Sequence, residues 1–215
     1  MGPPFGSRSR PRSTANLQPR VVAYGTVSGM ARMTRYLVLL RGINVGGKNK
    51  VPMAPLRALL EELGYSNVST YIASGNVILS SDRPAGEIKR QVEEALPKAF
   101  RLDSALIAVH VLSRAKLRSI VDHRPDGFGD RPETYHSDAI FLMGIDPATA
   151  MEGFAPRPGV DSVWPGDGVI YAQRLSAERT RSRLNTMMST PAYKSMTIRS
   201  WTTTMALLNR LEVPG

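Results

Sequence analysis

Cysteine is absent from the 215 residues, which excludes disulfides, thiol nucleophiles, thiolate-held zinc and iron–sulfur clusters. Histidine is nearly as scarce, with three copies at His110, His123 and His136. None has metal-ligand spacing with a carboxylate pair, and none stands where a hydrolase triad would need it. Long apolar runs are missing too: the longest, Tyr36 to Leu40 and Ala105 to Leu112, are strand-sized, far short of the roughly 18 residues of a membrane span. No secretory-type apolar region is present. These absences lead us to expect a cytoplasmic protein with no membrane partner, no metal and no cofactor.

What is present is a core-forming share of 42% hydrophobic residues and a net charge of +10. The charge divides unevenly in meaning. Residues 1–32 hold Arg8, Arg10, Arg12, Arg20 and Arg32 without an acid, while the remainder sets 23 Lys+Arg against 18 Asp+Glu. Half of the excess therefore belongs to a Gly-, Pro- and Ser-rich segment with no periodic apolar pattern, which cannot bury enough surface to offset ordering. We expect residues 1–32 to be a disordered basic tail or a mis-assigned start. Pro3, Pro4, Pro11 and Pro19 oppose the amphipathic helix of a transit peptide.

From Arg35 the apolar period alternates in an orderly way. Tyr36 to Arg41 reads as a strand, and Met53 to Leu63 as a helix with Leu56, Leu59, Leu60 and Leu63 on one face. Asn67 to Ala73 and Asn76 to Ser81 are β-branched runs joined by Ser74-Gly75, a hairpin signal. A helix at about 85–99, a strand at 105–112 and a linking helix at about 113–122 follow. The second half repeats the order: a strand at 139–143, a short helix at 147–153, a strand pair at 161–164 and 169–173, a helix at 177–188, a strand at 195–199 and a last helix at 202–211. We therefore expect an α+β protein of two tandem βαββαβ, ferredoxin-like subdomains with antiparallel or mixed sheets, each followed by an extra helix. The expected boundaries are 33–122 for the first, 123–137 for an aperiodic linking loop, and 138–215 for the second with its C-terminal helix.

The sharpest local motif is Arg41-Gly42-Ile43-Asn44-Val45-Gly46-Gly47-Lys48-Asn49-Lys50. Gly42-x-x-x-x-Gly47-Lys48 has the spacing of a phosphate loop, but Asn49 stands where a magnesium-binding Ser or Thr belongs, and Val51-Pro52 delays the helix. Nucleotide hydrolysis is thereby set aside. Glycines that let backbone N–H groups approach an anion, with Arg41, Lys48 and Lys50 supplying charge, still suit phosphate binding. Equally, Gly42, Gly46 and Gly47 can simply allow positive φ in a turn, with Asn44 as an Asx-turn residue and the lysines solvated. Ser74, Gly75 and Asn76 offer a hydroxyl and an amide at a loop tip, where turn chemistry is the competing account. Near the C-terminus Arg181, Ser182 and Arg183 would meet a helix N-terminus, and Arg199 with Trp201 could pair with a carboxylate or stack a base. The alternative is that Trp201 packs between the last helix and the sheet while the arginines cover its surface.

Tyr36 to Met53, then Leu56, and Thr70-Tyr71-Ile72-x-Ser74-Gly75-Asn76-Val77 resemble the bacterial family called domain of unknown function 1697. The resemblance continues more weakly through Phe141-Leu142, Ile170-Tyr171, Ser182-Arg183-Leu184 and Thr197-x-Arg199-x-Trp201-x-Thr203. Members usually carry Asn at the two positions held here by Ser200 and Thr202, and Gln where Ala73 stands. The resemblance implies a two-subdomain α+β fold and leaves activity, substrate and cofactor unassigned. Functionally we expect binding of an anion or phosphate, with nucleic acid placed ahead of a phosphorylated small molecule. The alternatives are an enzyme acting on a small phosphorylated or carboxylated metabolite between the subdomains, and a purely structural or dimerisation module.

Overall fold

The computed structural model describes residues 1–2, 33–104 and 107–213. Our expectation for the tail falls almost wholly outside them, and of the strand expected over 105–112 only residues 105 and 106 do; the strand observed there is Val109–Ser113. Residues Arg32–Gly215 form one compact unit.

The first sheet is built from β1 (Thr34–Leu40), β2 (Ser66–Tyr71), β3 (Asn76–Ser81) and β4 (Val109–Ser113), in the order β2-β3-β1-β4 with antiparallel pairing throughout. β1 is central, so both of its faces are apolar: Val38 and Leu40 meet one core while Leu37 and Leu39 meet another. Over the Val38 face lie helices α1 (Met53–Glu62) and α2 (Ala85–Ala99). α2 buries Ile88, Val92 and Leu96, one side chain per turn on a single stripe. Helix α3 (Arg114–Asp122) follows β4 directly, its first turn capped where the Ser113 hydroxyl accepts the Lys116 N–H at 3.2 Å.

The second sheet repeats the topology with β5 (Tyr135–Leu142), β6 (Asp161–Gly166), β7 (Val169–Leu175) and β8 (Met196–Ser200), ordered β6-β7-β5-β8 and again antiparallel. Helix α4 (Pro147–Met151) opens on a cap at Asp146, and α5 (Trp201–Glu212) closes the chain on a cap at Ser200. The predicted fold class holds in both halves. A single shared core joins the sheets: Leu37, Leu39 and Leu112 of the first, Phe141 and Tyr171 of the second, and the inner faces of α3 and α5. Phe128, fully buried from within the linking loop, stands at its centre with its ring 5.2 Å from Tyr171 and 5.0 Å from Trp201. The Tyr171 hydroxyl donates to the Ile120 carbonyl at 2.6 Å, fixing α3 to the second sheet.

One element differs from expectation. The helix expected over 177–188 is a chain of 3₁₀ turns, Ser176–Arg181, Leu184–Ser189 and Pro191–Ser195. Local side chains outcompete the α-helical ladder there. Ser182 accepts the Leu184 N–H, Thr186 donates to the Arg183 carbonyl, and Thr190 donates to that of Met187. The Asp161 carboxylate takes the backbone N–H of Arg183 at 2.8 Å.

Candidate functional site

The segment from Arg41 to Lys50 leaves the end of β1 as an exposed loop with left-handed residues at Gly42 (φ 73), Asn44 (φ 56), Gly46 (φ 59), Gly47 (φ 78) and Asn49 (φ 47). Alternation of φ sign along a backbone turns successive N–H groups toward one side, the geometry of an anion nest. Two asparagines fix that shape from within. Asn44 donates through Nδ2 to the carbonyls of Val51 and Ala73, each at 2.9 Å, and accepts the Val51 N–H at 2.8 Å. Asn49, buried, donates to the Gly42 carbonyl at 3.0 Å and accepts the N–H groups of Asp103 and Ser104. Its own N–H goes to the Asp103 carboxylate at 2.5 Å. Both amides thus hold the loop and have no role left for a ligand. By contrast, among the described residues the backbone N–H groups of Gly46 and Gly47 meet no acceptor, and a Cβ added to either glycine would touch nothing described within 4 Å.

The Asn44 bond to Ala73 brings the β2–β3 turn beside the loop. Gly75 is required there: at φ 76 its Cβ would come within 2.8 Å of the Leu40 carbonyl oxygen. Asn76, fully buried, donates to the Tyr71 carbonyl and the Ser74 hydroxyl and accepts from Arg199 Nε at 2.5 Å. Arg199 comes from β8 of the other subdomain. Its Nη1 donates to the Thr197 hydroxyl and the Ile198 carbonyl, and its Nη2 to the carbonyls of Leu40 and Ser74, at 2.7 to 3.2 Å. All five guanidinium hydrogens are therefore taken by neutral oxygens. Burial alone pulls its pKa down to about 10, so it stays charged at neutral pH. Arg41 makes the same crossing: Nε donates to the Met196 carbonyl at 2.8 Å, Nη2 to that of Tyr193 at 3.2 Å, and the guanidinium lies 4.7 Å from the Tyr193 ring centroid.

Most cations facing the helices have acidic partners, such as Arg57 with Glu61, Arg83 with Glu87 and Arg90 with Glu94. Among the described residues, no carboxylate forms an ion pair with Arg41, Lys48, Lys50 or Arg199. The fold thus gathers at one corner four positive charges without an ion-pair partner, with one carboxylate nearby, that of Asp103, held on the Asn49 N–H. Lys48 and Lys50 are exposed, Arg41 half-buried and Arg199 buried.

Three expected contributors are not brought to this corner. Arg181 pairs with Glu178 on the surface, and Ser182 and Arg183 lie against Asp161. Asp161 pairs with Arg174, which stands opposite His136 at the start of β5, whereas Arg41 docks on Met196, opposite Leu142 at its end. The six residue steps along the strand between them span about 20 Å. The α-helical N-terminus expected to add to their charge is absent, because the segment is 3₁₀. Trp201 is also displaced: its ring packs edge-on against Phe128 and Tyr171, so neither face is open to a base. Nothing in the sequence singles out Tyr193 or Asn49 as partners of this site. For Asn49 the signal available was its place in a run of left-handed turn residues.

These features define a two-subdomain α+β protein in which a glycine loop and a hairpin turn of one ferredoxin-like half are locked by arginine to the other. The chain belongs to the family described as protein of unknown function (DUF1697), whose profile matches residues 33–171. Among solved structures it is similar to the conserved bacterial protein SP0830 from Streptococcus pneumoniae, at 26% identity and a TM-score of 0.70, covering 84% of this chain and 100% of that one. No curated protein matches it.

Proposed function

We propose that the glycine loop binds a phosphate group, and that its natural ligand is nucleic acid. The observation that carries this reading is that, among the described residues, Arg41, Lys48, Lys50 and Arg199 form no ion pair, the nearby Asp103 carboxylate being committed to the Asn49 N–H, and the N–H groups of Gly46 and Gly47 beside them have no acceptor. Uncompensated positive charge with preorganised backbone donors is the arrangement that favours an incoming oxyanion. Arg199 has no free donor, so its part is to hold the turn and to contribute its field; Lys48, Lys50 and the loop backbone make the contacts. Apolar surface beside the loop favours a ligand larger than free phosphate. Val45 is 66% exposed and Ile72 54% exposed, each one residue from the Asn44–Ala73 hydrogen bond. Ile72 also sits at φ 47, a conformation a β-branched residue adopts only under strain.

The test is titration of the full-length chain and its Lys48→Ala/Lys50→Ala variant with labelled single-stranded RNA, single-stranded DNA and duplex at two salt concentrations. The expected result is salt-sensitive binding whose log–log slope falls by about 1.4 on single strands when the two lysines are removed. The basic tail is common to both proteins, so it cancels in the comparison. Identical slopes and affinities would overturn the assignment of phosphate contacts to the loop.

A further inference from the structure

We propose that a cavity of about 220 Å³ at the start of α5 is a second binding pocket, for a small oxyanion held by the indole N–H of Trp201 and the imidazole of His136. Gly129, Pro132, His136, Ser200, Trp201 and Thr202 form most of its wall, and no acidic residue lines it. The inference is independent of the glycine loop.

Trp201 is 8% exposed, yet among the described residues its Nε1–H has no acceptor, and the atom is not among those sealed from solvent. An indole this buried normally finds a protein acceptor, and here only a molecule entering from solvent can supply one. Gly129 is what leaves the N–H edge accessible: a Cβ at this position, with φ +80, would lie 2.4 Å from Nε1 and 2.2 Å from Cδ1. The donor is thus held in place by aromatic packing on Phe128 and Tyr171, at the wall of a cavity whose hydroxyls, those of Ser137, Ser200 and Thr202 among them, do not receive it.

Three features make an anion the fitting acceptor. His136 commits Nε2 to the Asp138 carboxylate at 3.1 Å, and the other oxygen of that carboxylate faces Arg174 Nη1 at 3.5 Å. Nδ1 is then the ring nitrogen left for a ligand, and in the imidazolium form both ring nitrogens are donors. Helix α5, with 12 residues and no acid in its first turn, directs the positive end of its dipole to the same wall. Thr202 adds an exposed residue with a hydroxyl. The volume lies below the range of about 300–1,000 Å³ typical of larger ligands, which limits the occupant to a small carboxylate or a phosphate.

Trp164 and Trp201 are the two tryptophans of the chain, so Trp164→Phe leaves Trp201 as the sole indole reporter. The full-length Trp164→Phe protein is titrated with inorganic phosphate and, separately, sodium acetate, with sodium chloride holding ionic strength constant. We expect a saturable change in Trp201 emission with one of the two anions, which identifies the chemistry. Adding His136→Gln should weaken it at least tenfold, and adding Lys48→Ala should leave it unchanged. Thr202→Val, at an exposed helix position, gives the same comparison should His136→Gln melt early. Emission that follows the chloride control for both anions, or a saturable response undiminished in the folded pocket variants, overturns the proposal.

Discussion

Arg199 and Asn76, 123 residues apart in the chain, meet Nε to Oδ1 at 2.5 Å across the seam between the two sheets. The bond closes a set in which a buried cation has five neutral acceptors and no carboxylate. Removing the guanidinium leaves carbonyls of both subdomains without a donor, and each buried group left so costs about 1–3 kcal/mol. Arg199→Ala is expected to lower stability by about 3–5 kcal/mol in urea denaturation. Arg199→Lys keeps the charge but has three donors instead of a planar fork, and it should recover less than half of the loss. Full recovery by lysine would mean that charge, and not the hydrogen-bond geometry, holds the seam.

The two halves of this relationship were unequally legible in the sequence. Leu37 to Leu40 announce a strand buried on both faces, and Ile88, Val92 and Leu96 announce a helix stripe, because each pattern is local and periodic. Arg199 stands in a short strand as a lone charge, and nothing local tells a ligand-facing arginine from one that five carbonyl and side-chain oxygens will surround. Phe128 is similar: a single aromatic among Pro, Asp and Gly looks like loop, although it fills the shared core. The 3₁₀ segment misled by spacing, since Leu184 and Met187 do bury as a helix would have them. The Ser and Thr residues around them were the opposing signal. For the glycine loop, the sequence left ligand binding and turn geometry open; in the structure Asn44 and Asn49 make turn hydrogen bonds, and among the described residues the N–H groups of Gly46 and Gly47 and the side chains of Lys48 and Lys50 have no partner.

Glycines of the site should separate by what surrounds them. Gly75→Ala places a methyl 2.8 Å from the Leu40 oxygen and 3.0 Å from Ile43 at φ 76, so backbone must move as well as strain. A loss of about 3 kcal/mol is expected, combining left-handed strain with overpacking. Gly46→Ala meets open space and should cost only the strain, about 1 kcal/mol. Equal losses in urea denaturation would contradict the close approach at Gly75.

His110 on β4 is held neutral, its pKa lowered to about 4 chiefly by burial, with Lys89 and Lys116 adding to the effect. The unfolded chain binds the proton with a pKa of about 6.5, so protons favour unfolding between the two values. Stability from this group is complete above about pH 6.5 and falls as the pH drops toward 4, by about 3 kcal/mol at pH 4. His110→Gln should flatten that part of the stability–pH curve. An unchanged slope between pH 6.5 and 4 would assign the acid sensitivity to other groups.

Asp161 governs the 3₁₀ segment that covers the outer face of the second sheet. Its Oδ2 accepts the backbone N–H of Arg157 at 2.9 Å and of Arg183 at 2.8 Å. Burial pushes the carboxyl up, but the bonds from Arg183 and Arg157 outweigh it and hold the group below its ordinary value. The anchor is therefore intact above the ordinary carboxylate range and is released only as pH falls through a lower value. Asp161→Ala removes the one oxygen that accepts both bonds, beside a segment whose 3₁₀ turns have little hydrogen-bond redundancy. Exposed Arg179, Arg181 and Arg183 should then be cut by trypsin about tenfold faster under native conditions, since local opening sets the rate. Asp161→Asn retains one acceptor oxygen and should show a smaller increase. If Asn and Ala are cut equally fast, the negative charge facing Arg174 is the anchor, and the two backbone bonds merely accompany it.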